Sequence, residues 1–387
     1  MTIARMGGVA LMAGLLLAGC GEKPEGGEAA KPAGPVLMSK IGAGEGALNL
    51  VAWEGYAEDA WVKPFEKDTG CVVNRKYAGS SDEMVALLRQ GGGQYDLVSA
   101  SGDASLRLIA GKAVQPVNTA LIPDFANFIP DLQSPAHNTI DGEHYGVSYL
   151  WGANVLMWDK RGVKTPPTSW SAIYDPAYAG KVTVPDNPIQ IADAALYLSK
   201  TKPELGIKDP YSLTQAQLDA SVVLLKAQRP LIKKYWALAS DEVSLFSTRD
   251  AVIGAAWPYQ AITLKAAGQP VESTIPVEGA TGWADTWMLA TKAPHMNCAY
   301  RWMAYVSTPK VQAQQALFFG GTPVNKAACA LMDAQQAGSC AQYHADAPAD
   351  YFKKISFWKT PQKTCSDGSK TCTDYSAWQQ AWQTVKQ

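Results

Sequence analysis

The chain has 387 residues and a formal net charge of −1, and 18% of its residues are charged. This length exceeds what a single small core requires and predicts two lobes or domains. A net charge near zero without a basic run excludes the electrostatic pattern of a nucleic-acid-binding protein, so we expect no nucleic-acid partner.

The amino terminus predicts export and a lipid anchor. Arg5 precedes an apolar run at residues 9–17 that is too short to span a bilayer and is typical of a signal peptide. The run leads into a Leu-Ala-Gly-Cys sequence ending at Cys20, which resembles the cleavage box of bacterial lipoproteins. The resemblance implies that residues 1–19 are removed and that Cys20 carries the lipid; secretion with cleavage elsewhere is the alternative. Residues 20–46 hold few bulky groups and are interpreted as a flexible tether.

The other cysteines predict disulfide bonds. With Cys20 assigned to lipid, an even number remains, and an exported chain is expected to oxidise such cysteines in pairs. Proximity in sequence suggests the pairs Cys329–Cys340 and Cys365–Cys372, which leaves Cys71–Cys298 as a long-range pair, although other pairings are open. Zinc binding is the alternative, but the chain has no CxxC motif and its histidines are scattered, so we expect no metal and no cofactor.

The first part of the folded chain alternates strands and helices. Ser80 and Glu83 form a capping box, which predicts the start of a helix that ends at Gly91. Strands are predicted at residues 47–52, 71–73 and 95–98, and further helices at 58–69 and 106–110. This alternating order predicts a parallel sheet.

Candidate ligand contacts follow two of these strands. Trp53 and Tyr56 come directly after the first strand, and open α/β sheets bind ligands at the carboxyl ends of their strands. Ser101 and Asp103 follow the third strand in the same way. The Ser101 hydroxyl can donate to a ligand, whereas Asp103 is either a ligand contact or the cap of the next helix.

The middle of the chain predicts a crossing into a second lobe. Residues 145–158 form a long apolar and aromatic extended run, which we interpret as passing between the lobes. A strand at residues 181–185 then leads into Asp186, which again places a polar side chain at a strand tip. Arg249 precedes a strand at residues 251–256 and would either grip a ligand carboxylate or form a surface ion pair.

The strongest functional signal lies at residues 253–289. Trp257 and Trp283 stand near glycines, which cannot fix an indole ring, so each ring must pack on another part of the chain. Asp285 lies two residues after Trp283, and residues two apart in an extended segment point to the same side. An indole face and a carboxylate directed at one point would hold a small organic cation. Alternatively, the tryptophans are core residues and Asp285 is a cap or loop residue.

The last part of the chain is predicted to be helical. Trp378 and Trp382 are four residues apart, which is the spacing of a buried stripe on one face of a helix. We therefore expect a last helix that packs on the folded body through these two rings.

In sequence order, these landmarks resemble the polyamine-binding group of extracytoplasmic solute-binding proteins of ABC importers. The likeness spans about residues 47–325, and its landmarks are the aromatic residues after the first strand, the Tyr-Asp-Leu-Val strand before Ser101, the Trp151-Gly152 crossing, Trp257 and Trp283-Ala284-Asp285. It implies an α/β protein with the two-lobed type II periplasmic-binding-protein fold. Each lobe would hold a mainly parallel sheet flanked by helices, with a ligand cleft between the lobes that closes on binding. The first lobe would take residues 47–150, the second 151–280, and residues 281–387 would return to the first lobe and add a helical tail.

The resemblance also implies a binding function and the residues that perform it. The protein would be a monomeric, lipid-anchored periplasmic receptor that passes a small amine, such as putrescine or spermidine, to an ABC permease in the inner membrane. The implied contacts, with Asp103 as a further candidate, are the aromatic residues Trp53 and Tyr56, the hydroxyl of Ser101, the carboxylate of Asp186, the stacking rings Trp257 and Trp283, and the amine-gripping Asp285.

The chain departs from the family pattern near three of these landmarks. The departures are Gly102-Asp103 in place of an aromatic residue after Ser101, the absence of a second acid after Asp186, and Gly320-Gly321 in place of another aromatic residue. Each charge of a long polyamine needs a partner when it is desolvated. A diamine fits the remaining acids as well as a long polyamine does, and so does a γ-amino acid whose carboxylate pairs with Arg249.

Two other classes of protein are alternatives: an exported enzyme, and an iron- or thiamine-type binder of the same wider fold group. The chain contains no GxSxG or HExxH sequence and no paired His/Cys motif. It also lacks the adjacent tyrosines on which iron sites of that group rely. We therefore expect a binding protein and not an enzyme.

Overall fold

The structure is a computed structural model that describes residues 37–346 and 349–387, and for residues 349 and 350 it describes the backbone alone. The predicted signal peptide, Cys20 and the predicted tether up to residue 36 lie outside the described residues. Within the described ranges, no helix is long and apolar enough to cross a membrane. In the same ranges, no three His, Cys, Asp or Glu side chains are grouped so that they could hold a metal ion.

Strands and helices alternate along most of the described chain. The strands are β1 Ala47–Ala52, β2 Val72–Tyr77, β3 Leu97–Ala100, β4 Val114–Gln115, β5 Thr139–Ile140, β6 Glu143–His144, β7 Gly146–Ala153, β8 Val155–Asp159, β9 Val182–Pro185, β10 Ile232–Trp236, β11 Ile253–Ala256, β12 Val271–Thr274, β13 Ala280–Ala290, β14 Thr322–Pro323 and β15 Ile355–Phe357. The helices are α1 Asp59–Thr69, α2 Ser81–Gln90, α3 Gly102–Ala110, α4 Pro130–Gln133, α5 Gln190–Thr201, α6 Gln215–Gln228, α7 Ala239–Ser247, α8 Pro258–Ala266, α9 Met296–Val306, α10 Pro309–Phe319, α11 Ala328–Gln335, α12 Ser339–Gln342, α13 Ala349–Phe352 and α14 Tyr375–Lys386.

The larger lobe is built on an eight-stranded sheet with the order β14-β7-β13-β3-β1-β2, to which β4 and β15 add by pairing with β13. β1 pairs in parallel with β2 and β3, as the alternating strand–helix order predicts. β13 runs antiparallel to both β3 and β7, because it returns from the other lobe. The sheet is therefore mixed rather than mainly parallel.

The smaller lobe is built on a five-stranded sheet with the order β10-β9-β11-β8-β12. β9 is parallel to β10 and β11, whereas β8 and β12 extend the sheet by antiparallel pairing. Asp186 directly follows β9 and Trp257 directly follows β11. Both side chains therefore start from the carboxyl edge of the parallel strands, where open sheets bind ligands.

Two extended segments cross between the lobes side by side. β7 lies in the larger sheet and β8 in the smaller one, with only Asn154 between them, which confirms the predicted crossing. The second crossing leads into β13, an 11-residue strand in which every residue is buried. The Asn154 backbone N–H donates to the Thr281 carbonyl at 2.9 Å, and Asn154 Nδ2 donates to Thr281 Oγ1 at 2.7 Å. These bonds fix the two crossings to each other and so position the part of β13 that carries Trp283 and Asp285.

The predicted capping box of α2 is present, whereas the predicted start of α3 is wrong. The Ser80 side chain accepts a hydrogen bond from the Glu83 backbone N–H at 3.2 Å, and the capping box of α6 is complete. α3 starts at Gly102 rather than at residue 106, because Ser101 takes the N-cap position with extended backbone angles. Asp103 therefore lies in the first turn of the helix and is not its cap.

All three disulfide pairs proposed from proximity are present. The long-range pair joins Cys71 to Cys298 on α9 across a sequence separation of 227 residues. Next to it, Glu45 accepts hydrogen bonds from the backbone N–H groups of Asn297 and Cys298 at 2.8 and 2.9 Å. The described end of the predicted tether, residues 37–46, is thus bound to the larger lobe at α9.

The chain ends in a segment that we call the C-terminal strap, residues 355–386. It begins with β15, which pairs in parallel with the start of β13, and it ends with α14. Trp378 and Trp382 are buried on α14, which confirms the predicted docking stripe.

Candidate ligand-binding site

A small pocket between the lobes gathers most of the predicted ligand contacts. Its lining residues are Trp53, Tyr56, Ser101, Trp257, Trp283, Asp285, Phe319 and Trp358. Trp53, Tyr56 and Ser101 follow strands of the larger sheet, whereas Trp257 follows β11 of the smaller sheet. The volume open to the centre of a water molecule is ≈ 10 Å³, about the room of one water. The lobes are thus closed around this point.

Asp285 is the charged group of this pocket. Its side chain lies on β13 and is almost completely buried. Oδ1 accepts a hydrogen bond from Ser101 Oγ at 2.5 Å, and Oδ2 accepts one from the Tyr56 hydroxyl at 2.6 Å. Burial raises the pKa of Asp285 to about 7, although the two hydroxyl donors oppose the rise and the negative charge of Asp103 adds to it. Each oxygen retains a free lone pair, so the carboxylate is still able to pair with an ammonium group.

Aromatic rings form the walls of the pocket. Trp53 and Trp257 meet edge to face across the cleft, with ring centroids 5.6 Å apart. Phe319 packs against Trp283 at 5.4 Å and against Tyr56 at 4.9 Å, again edge to face. This mutual packing holds the rings in place while the lobes are closed.

Glycines make room for the Trp283 ring. Gly152 on β7 is the cross-strand partner of Trp283, and a Cβ atom on Gly152 would lie 2.6 Å from Trp283 Cζ2. A Cβ atom on Gly321 would lie 3.0 Å from Trp283 Cη2. The Trp283 ring therefore packs directly against the backbone of these glycines. This contact explains why the chain has glycine before Thr322, where the family pattern has an aromatic residue.

We expect Gly152→Ala to weaken ligand binding in this pocket about tenfold, or about 1.4 kcal/mol. The new methyl group would push the Trp283 ring out of position, and a cation–ring contact contributes about 0.5–2 kcal/mol. Titration calorimetry measures the change. Gly162→Ala is a matched control, because its Cβ atom would be 2.8 Å from Val252, outside the pocket. It should lower stability but leave the dissociation constant unchanged, and equal affinity losses in both variants would contradict the role of Gly152.

The chemistry of this pocket suits an organic cation. None of the lining residues is basic, and the only carboxyl group among them is that of Asp285. An ammonium group would gain the carboxylate as counter-charge and the ring faces as a cation–π surface. The indole N–H groups of Trp53, Trp257, Trp283 and Trp358 have no acceptor among the described residues, so the ring edges remain able to donate to polar atoms of a ligand.

Six of the eight predicted ligand residues line the pocket, and Asp103 does not. Asp103 is fully buried in α3, where Oδ1 accepts a hydrogen bond from Ser81 Oγ at 2.8 Å. Arg107, one turn further along the helix, lies 3.9 Å from its other oxygen. Burial raises the pKa of Asp103 to about 6, while the Arg107 charge and the Ser81 hydroxyl hold it down. The side chain therefore belongs to the interior of the larger lobe.

Asp186 is also outside the pocket, and its carboxylate already has a cationic partner. Lys386 Nζ donates to Asp186 Oδ1 at 2.9 Å and to Oδ2 at 3.2 Å. Trp382 Nε1 donates to Oδ1 at 3.0 Å. Arg249, which we considered as a partner for a ligand carboxylate, is exposed and precedes β11, whereas Trp257 follows the strand. Its position at the opposite end of β11 rules out that role.

Phe319 and Trp358 line the pocket without having been predicted. Phe319 ends α10 directly before Gly320-Gly321, so the aromatic residue that the family pattern expected is displaced by a short distance along the chain. Trp358 comes from the C-terminal strap, and its backbone N–H donates to the Gly282 carbonyl at 2.7 Å. This hydrogen bond joins two residues that are about 75 positions apart in the sequence. No local pattern around Trp358 therefore predicts it.

Comparisons with known proteins identify the family of this chain. A family model described as bacterial extracellular solute-binding protein matches residues 60–342. The spermidine/putrescine-binding periplasmic protein of Escherichia coli (strain K12) is 23% identical over 298 residues, which cover 76% of this chain and 82% of that protein. The putrescine/agmatine-binding protein of Pseudomonas aeruginosa is 24% identical over 316 residues, with coverages of 78% and 84%. A solved structure described as a putative spermidine/putrescine ABC transporter from Listeria monocytogenes has a TM-score of 0.74 at 17% identity and covers 88% of this chain and 99% of its own.

These findings settle the fold and the class of protein. The structural likeness extends over nearly the whole described chain and confirms the two-lobed α/β fold. The family match spans well over half of the chain, and its members bind solutes and are not enzymes, as we expected from the missing catalytic motifs. The chain belongs to the bacterial extracellular solute-binding proteins.

Proposed function

We propose that this protein captures a small amine-bearing solute in the periplasm and delivers it to an ABC permease in the inner membrane. The observation that carries the proposal is the buried Asp285 carboxylate, which is enclosed by aromatic rings in a pocket with no basic lining residue. The names of the relatives support the same ligand class, because they bind putrescine, spermidine or agmatine. A micromolar dissociation constant, about −8 kcal/mol, is within reach of one matched ion pair and several ring contacts.

Binding requires the lobes to open and close again. The pocket has room for about one water molecule, so no diamine enters while the lobes are closed. The Ser240 backbone N–H of the smaller lobe donates to Glu54 Oε2 of the larger lobe at 2.9 Å, which is one of the contacts that opening must break. A hinge at the paired crossings of β7–β8 and β13 is the motion that such folds use.

Titration calorimetry of the purified mature protein tests the proposal. The ligands are putrescine, spermidine, 4-aminobutyrate and 4-aminobutan-1-ol. We expect at least one of them to bind with a micromolar dissociation constant and to raise the unfolding temperature. The absence of both heat and thermal shift with every cationic compound would refute an amine as the solute.

The proposal includes the anchor and the domain layout. Cys20 would be the lipid-bearing amino terminus of a monomeric mature protein, followed by a tether. Residues 47–150 and 281–387 would form the larger lobe, and residues 151–280 the smaller lobe. Mass spectrometry of the protein extracted from membranes should find a diacylglycerol-modified Cys20, and an unmodified amino terminus at another residue would contradict the anchor.

A further inference from the structure

The C-terminal strap is bonded to both lobes of the protein. It begins beside the second crossing, where β15 pairs with the first residues of β13, and it ends in α14. The family match ends at residue 342, so the strap and its contacts are not part of the matched pattern. What the strap does is therefore a property of this chain and has to be read from its contacts.

The later part of the strap is docked on the smaller lobe. Its partners there are the segment between α5 and α6, a ring of β10 and the carboxylate that follows β9. The contacts are Ser366 N–H to Ser212 Oγ at 2.8 Å, Thr373 N–H to the Leu213 carbonyl at 2.8 Å, the Trp382 ring on the Tyr235 ring at 5.2 Å, and Lys386 Nζ to Asp186 Oδ1 at 2.9 Å. Because these contacts extend along residues 366–386, α14 is held as a part of the smaller lobe.

α14 also contacts the larger lobe, through a cluster that we call the latch: Asp82, Arg107, Tyr375 and Gln379. The Tyr375 hydroxyl donates to Asp82 Oδ1 at 2.8 Å, and Gln379 Nε2 donates to Asp82 Oδ2 at 2.9 Å. Residues four apart lie on the same face of a helix, so one face of α14 presents both donors. Each oxygen of the Asp82 carboxylate thus receives a bond from the helix docked on the other lobe.

The larger lobe supplies its half of the latch from two of its own helices. Arg107 Nη1 of α3 donates to Asp82 Oδ1 of α2 at 2.6 Å. The Arg107 guanidinium lies over the Tyr375 ring, 3.8 Å from the ring centre. Hydrogen bonds to an ionised carboxylate are stronger than those between neutral groups, and a cation over a ring face adds a further attraction. The ion pair of the larger lobe therefore binds α14 through its charge and through its cation.

Opening of the lobes would separate the two halves of the latch. Tyr375 and Gln379 would leave with α14 and the smaller lobe, whereas Asp82 and Arg107 would stay together on the larger lobe. None of these four residues lines the Asp285 pocket. Any effect of the latch on a ligand must therefore pass through the closure of the lobes.

We propose that the latch holds the lobes closed and thereby sets the rate at which a bound ligand leaves. This inference rests on the proposed function, because it concerns release of the solute from the same receptor. The four latch residues are positioning residues, since they hold the lobes and do not contact the ligand. A ligand enclosed in the pocket leaves only after the lobes open, so weaker closure accelerates release.

The double variant Tyr375→Phe/Gln379→Ala tests this inference. It removes both donors of α14 and leaves the ion pair of the larger lobe intact. The probe is the compound that calorimetry finds to bind tightest among putrescine, spermidine, 4-aminobutyrate and 4-aminobutan-1-ol. We expect its dissociation rate, measured by stopped-flow dilution of the complex with tryptophan fluorescence, to rise about tenfold, which corresponds to about 1.4 kcal/mol.

Two further variants separate the latch from a general loosening of α14. Lys386→Gln is the matched control, because it removes a charge-assisted bond of the same helix that stays within the smaller lobe. Its dissociation rate should remain within about twofold of wild type. In an Asp82→Ala background the acceptor is already gone, so adding Tyr375→Phe/Gln379→Ala should change the rate by less than about twofold. Thermal unfolding verifies that each variant is folded.

The outcomes distinguish the inference from the function on which it rests. If Tyr375→Phe/Gln379→Ala releases the probe at the wild-type rate, or if Lys386→Gln accelerates release equally, the latch is overturned while the amine receptor stands. If none of the four compounds binds the wild-type protein, the proposed function fails and the inference fails with it. Release that is about tenfold faster in the double variant, but not further accelerated in the Asp82→Ala background, would establish the latch.

Discussion

Replacing Asp285 by asparagine is expected to weaken amine binding about 100-fold or more. The substitution keeps the shape of the side chain but removes the only negative charge among the pocket-lining residues. A buried charge that loses its partner costs about 2–5 kcal/mol, and a factor of 100 corresponds to about 2.7 kcal/mol. Titration calorimetry with the tightest-binding amine measures the loss.

Glu242→Gln is the matched control for this variant. Glu242 is a fully buried carboxyl group of α7 that does not line the pocket, and burial raises its pKa well above the usual value. The exchange removes the same functional group at a comparable depth, so affinity should stay within about threefold of wild type. A loss of less than tenfold in Asp285→Asn would show that Asp285 is not the ammonium partner.

The same residue makes binding depend on pH. With a pKa of about 7, Asp285 is mostly protonated below pH 7, and it must release that proton before it can pair with an ammonium group. Affinity should therefore fall by up to about tenfold for each pH unit below 7 and level off above about pH 8. The Asp285→Asn variant has no proton to release there and should show no such slope. A wild-type affinity that is constant between pH 5.5 and 8 would contradict this assignment.

The largest expected loss of stability comes from removing the Cys71–Cys298 disulfide. The bond closes a separation of 227 residues, and the chain-entropy estimate for a loop of this size is about 5 kcal/mol. The bond also joins the first segment of the larger lobe to α9, late in the chain. Without the bond, these two segments move independently in the unfolded chain, which raises the conformational entropy of the unfolded state. We expect the Cys71→Ser/Cys298→Ser variant to lower the free energy of unfolding by about 5 kcal/mol in guanidinium titrations.

The short disulfide Cys329–Cys340 provides the comparison. It closes a separation of only 11 residues, for which the same estimate is about 3 kcal/mol. Serine replacements at this pair should therefore cost less than those at the long-range pair, with both variants still binding amine. Equal losses of stability, or a larger loss for the short pair, would contradict the loop-entropy explanation.

Short-range patterns predicted much of the framework. The spacing of apolar residues and the capping residues placed β1 and α2 close to their observed bounds, since these signals act within a few residues. Proximity in sequence was sufficient to predict the disulfide pairs. Two of the pairs close short loops, and the remaining two cysteines form the third pair. The two-residue spacing of Trp283 and Asp285 in an extended strand correctly predicted that both side chains line one space.

Predictions about isolated polar residues were less reliable. Asp186 lies at the end of a strand, as a ligand contact would, but its carboxylate binds Lys386, which is 200 residues later in the chain. Asp103 follows a strand in the same way, yet the first turn of α3 directs it to Ser81 in the interior of the lobe. Position along a strand determines which edge of the sheet a residue occupies. It does not determine which side chain from another part of the chain will bind to that residue.

By itself, the sequence predicted alternating strands and helices and placed Trp283 and Asp285 on one side of an extended segment, because strand periodicity, caps and residue spacing each act over a few residues. The class of the molecule, a two-lobed receptor, was implied by the resemblance of the landmarks in sequence order to a known family. Only the tertiary structure decided which acid stays available to a ligand, since Trp358 and Lys386 reach the cleft through contacts between distant parts of the chain. Such contacts depend on the packing of the whole fold, and packing is not encoded in any short stretch of residues.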